Sequence, residues 1–288
     1  DNRQQNLLMT IYALIGKILC NTCCRDGNKP TRNEEDTDMI ESIDRALAIL
    51  QLFLQEETPL SITEISRKMK LHKSTVSRTM DTLEGRGFVR KQDETGKYWL
   101  GLQVYSLGML FREKESFQKM AYPYAKALAI QCKESVHMTT FAESDAPYPQ
   151  HVILEKIKLP QSVDIAPPVG SIRPSYCAAS GKCLLAFAPE YVQRFVGCKL
   201  QKFTEYTITD WDELLQELEK VRQQGYAVER EEVELGMTCV AAPVFSGGSI
   251  IAAISVSSPV THMTEEVQKT IIAQVKKTAA DITLALRQ

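Results

Sequence analysis

Residues 61 to 100 limit the possible folds more than any other part of the chain. Ser61-Ile-Thr-Glu64 is a capping box, in which the serine hydroxyl takes a first-turn amide and the glutamate reaches back. Ile65 and Met69 continue a short helix on its apolar side. After the turn at "LHK", Ser74 is placed to cap a further helix running to about Glu84. Val76, Met80 and Leu83 fall at i, i+4 and i+7, so that helix turns one apolar stripe inward. "GRG" ends it. "FVRKQDETGKYWLG" then carries two strand-like pieces around the turn "DETG", a hairpin.

Before this block, "MIESIDRALAILQLFL" (39–54) has Ile40, Ile43, Leu47, Leu50 and Phe53/Leu54 at helical spacing, so a single buried stripe is expected there. Three short helices closed by a hairpin make a winged helix-turn-helix. Its charge agrees. Residues 61 to 92 hold eight Lys or Arg against three acids, a segment of +5 in a chain whose net charge is −2. A concentrated cationic patch on an acidic molecule is the footprint of phosphate-backbone contact. The hydroxyls explain the rest, because short Ser and Thr side chains favour helices poorly but reach a surface pressed against them. Lys73, Ser74, Thr75, Ser77 and Arg78 are therefore the expected duplex-reading residues. Arg90, Lys91 and Lys97 on the wing are expected at the neighbouring backbone. The bland alternative is a small domain with a solvated basic surface.

The matching stretches "SIDRALAILQLF", "SITEISRKMKLHKSTVSRTMDTLEGRGFVRK…YWLGLQVYSLG", "PSYCAASGKCLLAF", "GYAVEREEVELGMTCVAAPVF" and "IAAISVSSP" follow one another between residues 39 and 288. In these the chain resembles the IclR family of bacterial transcription regulators. The resemblance implies an α+β protein: a winged helix-turn-helix domain (39–101), a linker helix (102–133) and a GAF/PAS-like effector-binding domain (134–288). It also implies a double-stranded DNA operator, a small-molecule effector such as an organic acid or aromatic catabolite, assembly as a homodimer or a tetramer made from dimers, and repression as the commoner habit. A cytoplasmic regulator with no membrane partner, no cofactor and no metal is expected. Residues 1–38 are expected to be an N-terminal extension outside the core fold. Their apolar run 7–20 falls short of the ~20 residues that span a bilayer.

Within "GLQVYSLGMLFREKESFQKMAYPYAKALAIQCKE", Val104, Leu107 and Leu110/Phe111 make a stripe suited to a partner, and Pro123 is expected to break or start a helix. Beyond residue 135 the expected strands are "SVHMTTFAE", "HVILEKI", "SVDIAPPVG", "YAVERE", "CVAAPVFS" and "SIIAAISVS", with "SGGS" as a hairpin turn. The expected helices are "CAASGKCLLAFA", "DWDELLQELEKVRQQG" and "TEEVQKTIIAQVKKTAADITLAL". In "CAASGKC" the small residues Ala179, Ser180 and Gly181 leave helix N-terminal amides open to an anion. Mere tight packing is the competing explanation. The resemblance adds Cys239 with Met237 beside it, Glu229, and the pair Ser255 and Ser257, which lie two apart on a strand and so share a face. Relatives often show a histidine where this chain has Tyr176. Arg173 is a carboxylate partner or a scaffold residue.

Eight cysteines are scattered through a chain too long to need stapling, so free thiols are expected. Cys20, Cys23 and Cys24 contain one C-x-x-C without a second pair. Two other classes remain to be weighed. A metal or thiol sensor would use Cys239 with His137 and His151. An enzyme would need a nucleophile among Cys177, Cys183 and Cys239, yet no phosphate loop, dinucleotide fingerprint or H-x-x-x-H occurs.

Overall fold

The computed structural model describes residues 40–287 apart from Gln55, Glu57, Glu115, 143–145 and 161–166. The described residues fall into two compact units, one within Asn33–Ser116 and the other within Phe117–Gln288. The cysteines at 20, 23 and 24 and the apolar run 7–20 lie outside the described residues. Among those residues no helix is long and apolar enough to cross a membrane.

In the first unit, α1 (Glu41–Leu52), α2 (Ile62–Met69) and α3 (Lys73–Gly85) precede a hairpin of β1 (Val89–Lys91) and β2 (Tyr98–Leu100). α2 begins as the capping box requires: Ser61 Oγ accepts from Glu64 N at 3.2 Å, and Glu64 Oε2 accepts from Ser61 N at 2.7 Å. Val76, Met80 and Leu83 are buried beside Ile49, Phe53, Ile65 and Tyr98. The hairpin pairs Val89 with Leu100 and Lys91 with Tyr98, while Leu60 bridges to Tyr98 as a third rung. Two details depart from the expectation. α3 starts at Lys73, and its cap is His72 with no side-chain bond, so Ser74 is already inside the first turn. The stripe read on α1 holds only at Leu50 and Phe53. Ile40, Ile43, Leu47 and Leu54 are each more than half exposed, and the buried residues are Ile49 and Phe53. This segment is apolar on two faces, and packing chose the one four residues apart at 49 and 53. α4 (Leu102–Lys114) closes the unit with Leu102, Tyr105, Leu107, Leu110 and Phe111 exposed.

The second unit opens with α5 (Ser116–Cys132), which carries Pro123 inside it without a break. The lost backbone bond is offset by burial of Ala121, Ala125, Leu128 and Ala129, the helix face on either side of the proline. A six-stranded antiparallel sheet follows, ordered β5-β4-β3-β8-β7-β6. Its strands are β3 (Ser135–Phe141), β4 (Gln150–Ile157), β5 (Ile172–Pro174), β6 (Ala227–Arg230), β7 (Met237–Ser246) and β8 (Ser249–Pro259). Of the expected strand 162–170, residues 167–170 are not strand. The sheet edge is instead β5, immediately after them. Gly247 and Gly248 both take positive φ (57° and 86°), giving the two-residue turn that joins β7 to β8.

Alternation along β7 and β8 sends Val240, Ala242, Val244, Ala252, Ile254 and Val256 to one face, against α5 and α9 (Glu265–Ala285). Ala241 and Ala253 go to the other, against α6 (Ala179–Ala186) and α8 (Trp211–Gln224). A sheet covered on both faces explains why these strands are apolar almost throughout. The short α7 (Pro189–Gln193) follows α6 and was not legible in the sequence.

Candidate functional sites: a reading helix and a polar row on the sensor sheet

On the reading unit, Lys73, Ser74 and Arg78 are exposed, and Thr75 and Ser77 are half-buried beside them. No acid of the described residues pairs with Lys73, Arg78 or Arg90, so these cations are available to an outside anion. Farther along α3 the threonines are committed: Thr79 donates to Thr75 O at 3.0 Å and Thr82 to Arg78 O at 2.9 Å. Lys97 also has a partner within the unit. Its Nζ lies 3.4 Å from Glu64 Oε2, tying the wing to the start of α2. Glu64 is held down at about 2, first by the Ser61 amide and hydroxyl, with Lys97 adding to the effect. Lys91 lies over the Tyr98 ring at 5.7 Å. A groove of about 670 Å³ runs between α1 and α3, where exposed Ile43 and Leu47 meet Arg45 and Arg78.

In the second unit the sheet register brings the expected strand residues together. Glu229 faces Cys239, Cys239 faces Ser257, and Ser257 faces Ser135, one row across four strands. Two residues along, Ser255 stands between Ala241 and His137 on the same face. Hydrogen bonds link the row: Cys239 Sγ to Ser257 Oγ at 3.1 Å and Ser257 Oγ to His137 Nδ1 at 3.4 Å. The Cys239 thiol also bonds to Glu229. Glu229 is 2% exposed, and its Oε1 accepts from the amides of Glu232 at 2.7 Å and Val233 at 3.4 Å. Cys239 and Met237 are partly open to solvent although β7 is an inner strand.

α6 lies on this face with every residue buried. Its N-cap, Ala178, offers no side-chain bond to the first amides. Gly181 is required by packing, because a Cβ there would stand 2.2 Å from Ser175 O and 2.4 Å from Ser175 Cα. Ala179 and Ser180, just before it in the helix, are buried as well. Tyr176 is fully occupied: its hydroxyl donates to Gln201 O at 2.8 Å and accepts from Gln201 N at 2.9 Å. Arg173 is exposed on β5 opposite His151.

Sequence reasoning missed one pair. Lys182 and Glu232 form a buried ion pair, at 1% and 7% exposure. A signal for it existed: a single lysine inside an otherwise apolar, wholly buried helix must meet an acid. Burial raises the Glu232 carboxyl against the pull of Lys182.

The titration of the thiols bears on the competing classes. Burial raises Cys239 well above its ordinary value, with Glu229 adding to it, and raises Cys177 to about 12. Burial pushes Cys183 up too. Thiols held protonated are poor nucleophiles and poor metal ligands. His151, lowered to about 4 by burial and by Arg173, bonds to Ser175 and is not part of the Cys239 row. Among the described residues no three His, Cys, Asp or Glu side chains come together as metal ligands.

Comparison with known proteins agrees with the two-part architecture. Residues 42–93 match the model of the IclR helix-turn-helix domain, and residues 113–284 that of the bacterial transcriptional regulator IclR C-terminal domain. The chain is 32% identical over 252 residues to the HTH-type transcriptional regulator KdgR of Escherichia coli, covering 86% of this chain and 94% of that one. It is 29% identical over 249 residues to the HTH-type transcriptional repressor AllR of the same species, with 85% and 90% covered. Among solved structures, the IclR of Thermotoga maritima superposes with a TM-score of 0.64 at 27% identity, covering 87% of this chain and all of that one.

Proposed function

Since the chain belongs to the IclR family of bacterial transcriptional regulators, we propose that it represses transcription by docking α3 in the major groove of an operator and that a small metabolite bound on the polar row of the sensor sheet controls its grip. The observation that carries the first half is the exposed, acid-free set Lys73, Ser74 and Arg78 on one helix start, with Thr75 and Ser77 beside it. Short hydroxyls and amides meet phosphates while Arg78 or Lys73 reaches base edges. Arg90 and Lys91 on the wing extend the backbone contact. Lys97 does so only by leaving Glu64.

Two observations support a sensing role for the second unit: an inner-strand cysteine partly open to solvent, and a continuous row of Glu229, Cys239, Ser257 and His137. Met237 and Ser255 flank the row. Ala179, Ser180 and Gly181 bring the uncapped start of α6 onto the same face. Effector binding changes operator affinity by a coupling free energy, typically ~1–3 kcal/mol, provided the ligand binds the two states unequally. The protein acts as a dimer or dimer of dimers in the cytoplasm. Exposed Ile43 and Leu47 on α1, with Leu107, Leu110 and Phe111 on α4, form the apolar surface that a second copy covers.

The test is DNA selection from a random pool, followed by gel-shift with variants. Arg78→Ala is expected to lose ~1–3 kcal/mol and relax preference at particular base pairs, and Lys73→Ala to weaken all sequences alike and flatten the salt dependence. Unchanged affinity in both variants would remove α3 as the reader.

A further inference from the structure

The wing carries its charges in a definite order. At its root, β1 exposes Arg90 and Lys91, and Arg90 has no acid partner among the described residues. At its tip stand Asp93 and Glu94, both exposed and neither in an ion pair among the described residues.

The tip is closed on itself. Gln92 N donates to Lys97 O at 2.8 Å, and Gly96 N donates to Gln92 O at 2.8 Å with Gly96 at φ 64°. Thr95 Oγ1 donates to Gln92 Oε1 at 2.9 Å and accepts from Lys97 N at 3.2 Å. The root is tied down as well. Lys91 N donates to Glu84 Oε1 on α3 at 3.1 Å, and Lys97 Nζ lies 3.4 Å from Glu64 Oε2 at the start of α2. Wing and reading helix are held together within one unit, so the docking of α3 fixes where the wing falls.

Side chains that read the minor groove are Arg, Lys, Asn and Gln, because that groove is about 6 Å wide and walled by two rows of phosphates. Asp93 and Glu94 lie three and four residues beyond Arg90, roughly 10–13 Å along an extended strand. With Arg90 on a phosphate, that reach would bring both carboxylates to the groove or its far wall. There they fall within the ~10 Å over which charges act at moderate salt. Ionised carboxylates are repelled by the phosphates and have no donor to offer a base edge.

Resting on α3 as the reader, we propose that the wing grips the backbone by its root alone and that Asp93 and Glu94 hold its tip out of the minor groove. The two carboxylates act on specificity by exclusion. A cationic tip would tighten binding to every duplex alike, whereas a repelled tip leaves base recognition to α3 in the major groove. The minor groove flanking the α3 contact is then unread.

The test is gel-shift of the full chain on the selected duplex, built with variable flanks beside the α3 contact and measured across a range of salt. Replacing flanking inosine·C pairs by G·C adds an amino group to the minor groove and leaves the major-groove pattern as it was. A base pair that is read is worth about fivefold or more, and this swap is expected to stay below that. Distamycin, which fills A·T minor grooves, is expected not to displace the protein from A·T flanks. Asp93→Lys with Glu94→Lys, at two exposed positions, is expected to tighten binding to unrelated duplex about tenfold or more. The same variant should steepen the salt slope by about two and become sensitive to distamycin. Displacement of the parent by distamycin, or a flank effect of about fivefold or more, overturns the proposal. A charge-reversed variant with the parent's salt slope and distamycin response overturns the two acids as the cause. Failure of α3 as the reader has a separate signature, an Arg78→Ala variant that binds the selected duplex as the parent does.

Discussion

Replacing Lys182 with methionine isolates the buried ion pair that joins α6 to the loop after β6. The methylene stem is kept and only the ammonium goes, so packing on α6 is little disturbed. Glu232 cannot escape to solvent. Its amide is bonded to Glu229 at 2.7 Å and its carbonyl accepts from Thr207 Oγ1 at 2.6 Å, which pins the backbone on both sides. The variant therefore leaves a carboxylate at 7% exposure stripped of its ammonium partner, with the Ile208 amide still acting on it. Breaking one partner of such a pair costs about 3–5 kcal/mol, whereas replacing both by apolar groups is close to neutral. Lys182→Met should lose stability by that amount near neutral pH, and Lys182→Met with Glu232→Met should recover to within ~1 kcal/mol of the parent.

The pH dependence has a definite sign. Glu232 already titrates above its ordinary range through burial, and losing Lys182 removes what opposed that rise. A raised folded value gives stability that is present at low pH and lost as pH increases. The deficit of Lys182→Met is thus largest in alkali and narrows as Glu232 protonates. Trp211 on α8 and Trp99 on β2 are the two tryptophans, so urea unfolding of a Trp99→Phe background reports the sensor unit through Trp211 alone. A single variant within ~1 kcal/mol of the parent at every pH, or a double variant no better than the single, would refute the reasoning.

Three further outcomes are expected. Glu229→Gln should stabilise the sensor unit by ~3 kcal/mol near pH 8, since a shift from 4.5 to about 7 is stability lost as pH rises through 7. The gain should vanish below the unfolded carboxylate value, and urea curves at several pH values decide it. Gly181→Ala should lower thermal stability by ~2 kcal/mol or more, because a Cβ 2.2 Å from Ser175 O meets backbone rather than a movable side chain. If α4 carries the proposed self-association, Leu107→Glu with Leu110→Glu should sediment as a monomer where the parent sediments as a dimer or tetramer, and should weaken DNA binding while leaving the helical circular-dichroism signal intact. Both residues are already exposed within the unit, at 53% and 50%.

Much of the reading unit was legible because its cues are local. The capping box at Ser61 and Glu64, the i, i+4, i+7 spacing of Val76, Met80 and Leu83, and the turn between Val89 and Tyr98 each act within a few residues. α1 was misread for the opposite reason. A segment with Ile43 and Leu47 on one side and Ile49 and Phe53 on another satisfies helical spacing twice, and only the neighbouring helices select a face. Pro123 misled similarly, since a missing amide is tolerated where the surrounding alanines and Leu128 are buried.

By itself the sequence determined most of the order of elements, the near-continuous apolar runs that make β7 and β8 inner strands, and the location of the cationic helix, because these follow from short-range periodicity and charge. Tertiary structure alone decided which acids and bases meet. Lys182 and Glu232 are 50 residues apart, and Ser257 and His137 are 120 apart. Their interaction arises from strand register and helix packing, which set distance and burial, and burial is what raises Glu229 to near neutrality and keeps the thiols protonated.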